Sequence, residues 1–560
     1  MRIPPKKFIA ATAVFLPLFF AHMAAGANSG DFTTFNVEKN VEVSENRQVQ
    51  AVLVKTSPDL YFYVEKSWWE AQTPAKQNEI LGKLDTLSAE FSNTIYPNLT
   101  SIFGPEWRPG VDGDTKITVL FHSMKEGSAG YFRSADEYLK LQVPDSNERE
   151  MVYLALANIE SSQLKVFLAH EFTHLIEFNQ KDRKNGVAEE TWLNEARADF
   201  SSTLLGYDTV YDGSNLQKRV RDFLGNPSDS ITEWQEKKYD YAAVSIFMHY
   251  LVDHYGVNIL ADSLKLKSIG IASLNEMLAK GGYKEDFADI FTDWTITNII
   301  NNCAGNTKFC YLNQSLQNLR IAPTLNFLPL TGNSSLSVTN VTKNWAGNWQ
   351  KIIGGNGDLV LEFSTLSGVN FKVPYIIFDK DNNYSIHFLA LDAAHKGKIA
   401  IKDFGVKYSS LIIIPLLQDK TVGFSDSEFA YSYTYKVSIS GQVPEEDPAI
   451  IQQLLAKIES LKQQIAALAG GQNNFSISCS VLTVNLYLGL TNNGSVKCLQ
   501  QFLAAQGPEM YPEGLVTGNF GSLTRAAVIR FQKKYAIAAT GFVGIVTRAK
   551  INALLSSNGG

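Results

Sequence analysis

Histidine and cysteine are scarce in this chain, which has eight histidines and four cysteines in 560 residues. No C-x-x-C pair occurs, which argues against the common cysteine-based zinc motifs. The cysteines instead form two local pairs, Cys303 with Cys310 and Cys479 with Cys498. An even count in an exported chain predicts two disulfides, and buried free thiols are the alternative.

Strong charge of one sign is also lacking, because the net charge is only −6 at pH 7. Such a chain offers no basic surface for nucleic acid and no basic patch for a membrane, so we expect no nucleic-acid partner. Past the N-terminal region no run of about 18 apolar residues occurs, so no transmembrane helix is predicted there.

The N-terminus has the pattern of a secretory signal peptide over residues 1–27. Three basic residues precede an apolar run over residues 8–25, and small residues follow at 25–27. An uncleaved membrane anchor is the alternative, but Pro17 and His22 inside the run favour cleavage.

Two of the few histidines lie four residues apart in the segment LAHEFTHLIEF, residues 168–178. The segment is too apolar for a surface loop and too long for a strand, so it predicts a helix. Residues four apart share a helix face, with Cβ atoms about 5–6 Å apart, so His170 and His174 can bind one metal ion together. Glu171 then lies beside the open coordination position as a proton acceptor. Two packing histidines in a core helix are the alternative.

The segment TWLNEARADF, residues 191–200, offers a third ligand, and a catalytic zinc usually has three. Twenty residues separate His174 from Glu195, enough to end one helix, turn and start another. Asp199 falls on the same face as Glu195, where it can accept the spare ring N–H of a ligand histidine. A solvated helix glutamate is the alternative for Glu195.

HEFTH followed by NEARAD resembles the gluzincin metallopeptidases, the thermolysin-like class with the pattern HExxH…NExxxD. The wider context is most similar to hyicolysin-type secreted metallopeptidases. The resemblance implies an α+β zincin domain and a zinc endopeptidase. The implied roles are zinc ligands at His170, His174 and Glu195, a general base at Glu171 and an outer hydrogen-bond partner at Asp199. The Gly-x-Met-Glu-Asn segment of gluzincin aminopeptidases is missing, which favours internal cleavage.

Apolar segments before the motif predict a small mixed sheet, with strands near residues 41–54, 61–64, 116–121, 129–132 and 151–156. An amphipathic helix is predicted over residues 75–95, ended by Pro97. In the resembled class an edge strand pairs with the substrate backbone. Residues 129–132 are the candidate for that strand, and an ordinary structural strand is the alternative.

Two acidic turns raise the question of calcium. Asp112 and Asp114 flank a glycine and can offer oxygen ligands, although a tight turn is the simpler interpretation. Residues 379–383 are most simply a hairpin turn, with calcium as the second interpretation.

The helical half that follows is expected to supply an oxyanion donor, because peptide hydrolysis develops negative charge on the carbonyl oxygen. The resemblance implies a Tyr or His from this half, on a long helix predicted over residues 239–255. Tyr241 is the first choice, and Tyr239, His249 and His254 are the alternatives.

Three further parts are predicted after a catalytic domain over residues 28–321. Short apolar runs between turns predict an antiparallel β-sandwich over 322–442, acting as a spacer or binding module. A hinge then leads to a heptad pattern within 443–474 that predicts a short coiled coil, with weak self-association or a lone helical stalk as outcomes.

The last module, residues 475–560, has the pattern of a three-helix unit with glycine-rich turns and threonine caps. Its LQ..L, FG..T..AV..FQ and G..G..T segments resemble the peptidoglycan-binding domain of bacterial cell-wall hydrolases. The resemblance implies binding to the wall, and a protein-binding or purely structural bundle is the alternative.

These patterns together predict a secreted zinc endopeptidase that cleaves proteins and is tethered to the bacterial cell wall. Two alternatives stay open. The enzyme can instead cleave the peptide cross-links of peptidoglycan, or the chain can be a non-catalytic surface adhesin.

Overall fold

The computed structural model describes residues 30–365, 368–441, 457, 481–507 and 509–557. The chain splits into two compact units, Met1–Val443 and Pro444–Gly560, and each is described by itself. The predicted signal peptide, nearly all of the predicted coiled coil and Cys479 lie outside the described residues. The signal peptide, the coiled coil and the disulfide between Cys479 and Cys498 therefore stay predictions.

A six-stranded sheet begins the first unit, with the strand order β1-β2-β3-β4-β6-β5. Its strands are β1 Phe32–Asn36, β2 Gln48–Thr56, β3 Leu60–Glu65, β4 Ile117–His122, β5 Gly130–Phe132 and β6 Met151–Ala155. β3, β4 and β6 run parallel and the other pairs are antiparallel, which confirms the predicted mixed sheet. β5 is an edge strand, since it pairs with β6 alone among the described strands.

Ten helices follow or interrupt this sheet within the described part of the first unit. They are α1 Lys66–Glu70, α2 Pro74–Glu90, α3 Tyr96–Phe103, α4 Leu164–Glu177, α5 Thr191–Leu204, α6 Asn215–Gly225, α7 Lys238–Tyr255, α8 Asn258–Ser263, α9 Gly270–Lys280 and α10 Phe287–Ile300. The predicted end of a helix at Pro97 is wrong. The chain passes from α2 through a π-helical turn, Phe91–Ile95, into α3, where Pro97 occupies the first turn. A proline is tolerated there because the first N–H groups of a helix have no partner within it.

α4 lies in the core between the sheet and α5. Leu168, Phe172 and Leu175 on α4 pack with Trp192 and Ala196 of α5 in one buried apolar cluster. This burial explains why the motif segment is so apolar, and it leaves one polar stripe of α4 facing α5.

The second sheet system forms a sandwich of two layers. Its strands are β7 Thr324–Leu328, β8 Ser334–Thr342, β9 Gln350–Gly354, β10 Gly357–Thr365, β11 Phe371–Lys372, β12 Pro374–Asp379, β13 Tyr384–Phe388, β14 Lys396–Phe404, β15 Tyr408–Ile413, β16 Leu416–Leu417 and β17 Tyr431–Gly441. One layer is β13-β12-β15-β9-β7 and the other is β14-β10-β17-β8, joined where Phe404 pairs with Tyr408. The prediction of a wholly antiparallel sandwich is wrong at two places. β7 and β9 are parallel, because the chain crosses to the other layer through β8 between them, and the single Phe404–Tyr408 pair joins β14 and β15 in parallel.

The layer that contains β15 is buried on both faces. Leu411 and Ile413 face the other layer, whereas Ile412 and Ile414 belong to the same core cluster as the helices of the first half. A strand covered on both sides reads as an uninterrupted apolar run, which accounts for the sequence Leu-Ile-Ile-Ile at this position. The sandwich is therefore packed directly onto the helical half.

The second unit contains three helices in its described part, α11 Gly494–Ala505, α12 Ser522–Lys534 and α13 Ile545–Ser557, which confirms the predicted three-helix unit. Buried Gln500 accepts hydrogen bonds from the N–H groups of Thr517 and Gly518, and buried Gln532 accepts one from Gly541 N. The two motif glutamines thus hold the glycine turns. Among the described residues, no helix has the length and apolarity needed to cross a membrane.

The predicted disulfide between Cys303 and Cys310 is present. It closes a short loop after α10.

Candidate metal centre

His170, His174 and Glu195 converge at one point between α4 and α5. One ligand atom from each of the three lies within 4.8 Å of the others. His170 Nε2 is 3.2 Å from Glu195 Oε2, and His174 Nε2 is 3.8 Å from Glu195 Oε1. No other trio of His, Cys, Asp or Glu side chains comes this close within the described ranges.

The donor set and its surroundings fit zinc. Two imidazole nitrogens and one carboxylate oxygen are the ligands of many catalytic zinc sites, which keep a fourth position open. Glu195 Oε2 is buried and accepts no hydrogen bond from any described residue. A buried carboxylate oxygen without a donor is costly, and a cation held between it and the two rings removes that cost.

The charges around the trio favour a cation. Burial alone would raise the pKa of Glu195, but the neighbouring His174 and His170 hold the pKa below its usual value. Burial alone would lower the pKa of His174, but Glu195 and Glu177 raise that pKa to about 10. Buried carboxylates thus surround the two rings with negative potential.

Glu171 is buried beside the trio and directly under the edge strand β5. Its burial raises its pKa to about 7, close to the value that suits a general base at neutral pH. A Cβ atom on Gly130 would lie only 2.8 Å from Glu171 Oε1 and 2.6 Å from the Tyr153 carbonyl oxygen. Only glycine lets β5 pass this close to the carboxylate.

The free edge of β5 therefore borders the trio. Phe132, the last residue of β5, has its ring centroid 6.4 Å from that of His174, with the two planes nearly parallel. The predicted strand over residues 129–132 exists and lies at the site, while its pairing with a substrate stays a prediction.

Glu177 is the outer partner that the sequence prediction missed. Its Oε2 lies 2.8 Å from His174 Nδ1, and the carboxylate is buried. The signal was available, because Glu177 stands three residues after His174 on the same helix and such pairs are neighbours.

Asp199 lies at the site, but its strongest contacts differ from the predicted one. Its Oδ1 accepts hydrogen bonds from Arg219 Nε at 2.9 Å and from Asn215 Nδ2 at 3.0 Å. Burial alone would raise the pKa of Asp199, yet Arg219 and His170 hold the pKa at about 2. Its other oxygen is buried without a hydrogen bond to the described residues, so a bond from the His170 ring stays a prediction.

We expect Glu177→Gln to weaken zinc binding by about 10- to 100-fold, the usual cost of losing an outer-shell carboxylate. An amide holds the His174 ring less strongly than a carboxylate does. Competition with a chelating dye measures the affinity, and Glu276→Gln, an exposed glutamate in the same half, is the matched control. Equal affinities for the two variants would contradict the role of Glu177.

Of the four proposed oxyanion donors, all of which are described residues, Tyr241 alone has its ring against a residue of the trio, His170. Its ring centroid is 6.5 Å from that of His170 and 4.7 Å from that of Trp234, and the Arg219 guanidinium lies 4.8 Å over the ring. Burial raises the pKa of Tyr241, as do Glu195 and Glu171, so the hydroxyl stays protonated and can donate.

The three alternatives have other partners. His249 is buried against Phe200, and its burial lowers its pKa to about 4. His254 Nε2 lies 2.9 Å from the Cys310 carbonyl oxygen, and Tyr239 packs near Gly225.

The two acidic turns behave as turns. Asp112 Oδ1 accepts a hydrogen bond from Asp114 N, and Asp114 accepts from Lys116 N and the Tyr61 hydroxyl. Asp379 Oδ1 likewise accepts from the N–H groups of residues 381 and 383. In neither turn do the described residues bring three acidic ligands together, so the calcium interpretation gains no support.

Comparison with known proteins gives two sequence matches. Residues 492–551 match the family model described as "Putative peptidoglycan binding domain". The chain is also 26% identical over 246 residues to the neutral metalloprotease ShpI of Staphylococcus hyicus, covering 39% of this chain and 50% of that protein. The chain thus spans about half the length of the curated relative it matches. This similarity agrees with the metallopeptidase resemblance of the motif pair, while the gluzincin type stays a prediction.

The similarity to solved structures is too weak to indicate a function, because the TM-scores are far below 0.5. The pre-peptidase C-terminal domain of a Bacillus anthracis collagenase is 9% identical, with 21% of this chain and 96% of that chain covered and a TM-score of 0.14. Aeromonas hydrophila PliG, a periplasmic lysozyme inhibitor, is 10% identical, with 21% of this chain and 100% of that chain covered and the same TM-score.

Proposed function

We propose that this protein is a secreted zinc-dependent endopeptidase that hydrolyses proteins and is held at the bacterial cell wall by its C-terminal module. One observation carries the proposal: His170, His174 and Glu195 converge beside a buried glutamate, Glu171, under a free strand edge. The similarity to a neutral metalloprotease and the family match at residues 492–551 support it.

The residues around the trio have distinct roles in peptide hydrolysis. Zinc held by His170, His174 and Glu195 would supply Lewis-acid chemistry to the scissile carbonyl and to a water molecule. Glu171 accepts the proton of the attacking water and passes it to the nitrogen of the leaving amine. The protonated Tyr241 hydroxyl donates to the oxygen on which negative charge develops. Asp199 and Glu177 hold the ligand rings in place.

β5 provides the grip for the substrate. An extended peptide can add to the free edge of β5 through backbone hydrogen bonds, which recognises a chain without demanding its ends. This geometry favours internal cleavage of proteins, and Gly130 lets the scissile bond approach Glu171.

The wall module determines location in this proposal, independently of cleavage. A chain cut after Val443 should still cleave casein at a rate within about twofold of the full chain, because the trio lies wholly in the first unit. Its sedimentation with purified peptidoglycan should fall to background, measured by pelleting both proteins with the wall. Equal pelleting of the full and shortened chains would contradict the assignment of wall binding to the second unit.

Peptidoglycan cross-links are the second candidate substrate, favoured by the family match at residues 492–551. The two substrates are separated by offering the same enzyme casein and purified peptidoglycan. New internal casein fragments, detected by mass spectrometry, support the protein substrate. Release of free amines from peptidoglycan with intact casein favours the cross-links, and no turnover of either substrate favours the adhesin hypothesis.

A further inference from the structure

The sandwich reaches the candidate active site through one short segment. We define the Trp234 segment as residues 230–234, which lie within the connection between α6 and α7. Within it the Ser230 hydroxyl donates to the Asn344 carbonyl oxygen at 2.7 Å, and Ile231 N donates to the Trp345 carbonyl oxygen at 3.0 Å. The segment is thus paired with the sandwich edge as a short strand would be.

An ion pair secures the end of this segment. Lys343 Nζ of the sandwich lies 2.5 Å from Glu233 Oε2, and Glu428 N, also of the sandwich, donates to Glu233 Oε1 at 2.9 Å. The Glu233 carboxylate is buried, so these partners stabilise a charge that would be costly to leave unpaired.

The next residue transmits this placement to the site. Trp234 is buried, and its ring meets the Tyr241 ring edge to face with centroids 4.7 Å apart. Tyr241 in turn lies beside His170. The position of the Trp234 segment therefore determines how Trp234 packs against the Tyr241 ring.

We propose that the sandwich is a brace for the active site, in which Lys343 and Glu233 are positioning residues that fix Tyr241 through Trp234. The inference rests on the proposed function of Tyr241 as an oxyanion donor. It adds a structural role to the sandwich, which the sequence interprets as a spacer or binding module, because the layer containing β15 is packed onto the helices on its outer face.

The chain offers a control that is matched at the lysine. The acidic partners differ, since the Glu233 side chain is 4% exposed and that of Asp289 is 50% exposed. Lys372 Nζ pairs with Asp289 at 3.0 Å and also joins the sandwich to the helical half. The two lysine side chains have nearly the same exposure, 32% for Lys343 and 35% for Lys372. Only the Lys343 pair touches the Trp234 segment.

The test compares Lys343→Met, Glu233→Gln and Lys372→Met in the full-length protein, with a quenched fluorescent peptide taken from a casein cleavage site. We expect Lys343→Met and Glu233→Gln to lower kcat about tenfold and to leave KM within about twofold, because a misplaced donor weakens the transition state alone. Lys372→Met should leave both constants unchanged. If Tyr241→Phe is already present, Lys343→Met should cause no further loss.

An equal loss of kcat in Lys343→Met and Lys372→Met would overturn the proposed brace. The proposal would also fail if Lys343→Met lowered kcat as much in the Tyr241→Phe protein as in the wild type. Amide hydrogen exchange tests the same claim without turnover. Residues 230–241 should exchange faster in Lys343→Met than in Lys372→Met, and equal exchange overturns the proposal. If the wild type cleaves no peptide, the proposed function fails, and the exchange comparison still decides whether the sandwich holds this segment.

Discussion

Glu171→Gln lowers peptide cleavage by about 10²- to 10⁴-fold and leaves zinc binding intact, if the buried carboxylate is the general base. Glutamine has the same shape, so it still fits under Gly130, but its amide cannot accept the proton of the attacking water. Glu171 lies outside the converging trio, so its loss removes no zinc ligand. The measurements are the turnover of the fluorescent peptide and the zinc content of the purified variant.

Glu276→Gln serves as the control for this substitution, since it makes the same chemical change at an exposed site. It should keep both activity and zinc. A Glu171→Gln protein that retains more than about a tenth of wild-type turnover would contradict the mechanism, because general-base catalysis raises the rate by at least about a hundredfold.

Glu195→Gln has the opposite signature, in that zinc itself is lost. Glu195 supplies the only carboxylate of the trio, and its Oε2 accepts no hydrogen bond from the described residues. A neutral amide is a weak zinc ligand, so we expect the zinc affinity to fall by more than the about 10- to 100-fold that removing an outer partner costs. Turnover should fall in parallel and should partly recover at high added zinc.

Glu171→Gln and Glu195→Gln are controls for each other. Both replace a glutamate by glutamine within one site, so general damage to the site would affect them alike. The account requires that one variant keeps zinc and the other loses it. Two variants with the same zinc affinity would show that the roles of ligand and base are wrongly assigned.

The sequence predicted the site well where its residues lie on one helix or at a fixed helical spacing. His170, Glu171 and His174 share α4, and Glu195 follows on the next helix, so period and motif were sufficient to bring them together. Glu177 was within reach of the same argument at three residues from His174. The mixed sheet and a strand over residues 129–132 also followed from apolar patterning, whereas the edge position of that strand was implied by the family resemblance.

Most of the features that the sequence did not predict depend on contacts between segments that are distant in the chain, which no local pattern encodes. Trp234 reaches Tyr241 because the sandwich holds the Trp234 segment. The contact that holds it joins Glu233 to Lys343, which are more than a hundred residues apart in the chain. Arg219 and Asn215 donate hydrogen bonds to Asp199 Oδ1, while the bond from the His170 ring to the other oxygen of Asp199 stays a prediction. Pro97 does not end its helix, since a π-helical turn lets the chain start a new one around it.

Removal and return of zinc show whether the trio of His170, His174 and Glu195 acts by binding a metal. The purified full-length protein is stripped with a chelator, assayed for cleavage of casein, titrated with zinc and assayed again. We expect cleavage to disappear with the metal and to return as about one equivalent of zinc is bound, and we expect the Glu195→Gln variant not to recover at that concentration. Full cleavage of casein by the metal-free protein would contradict the account, because the converging trio would then have no part in the reaction.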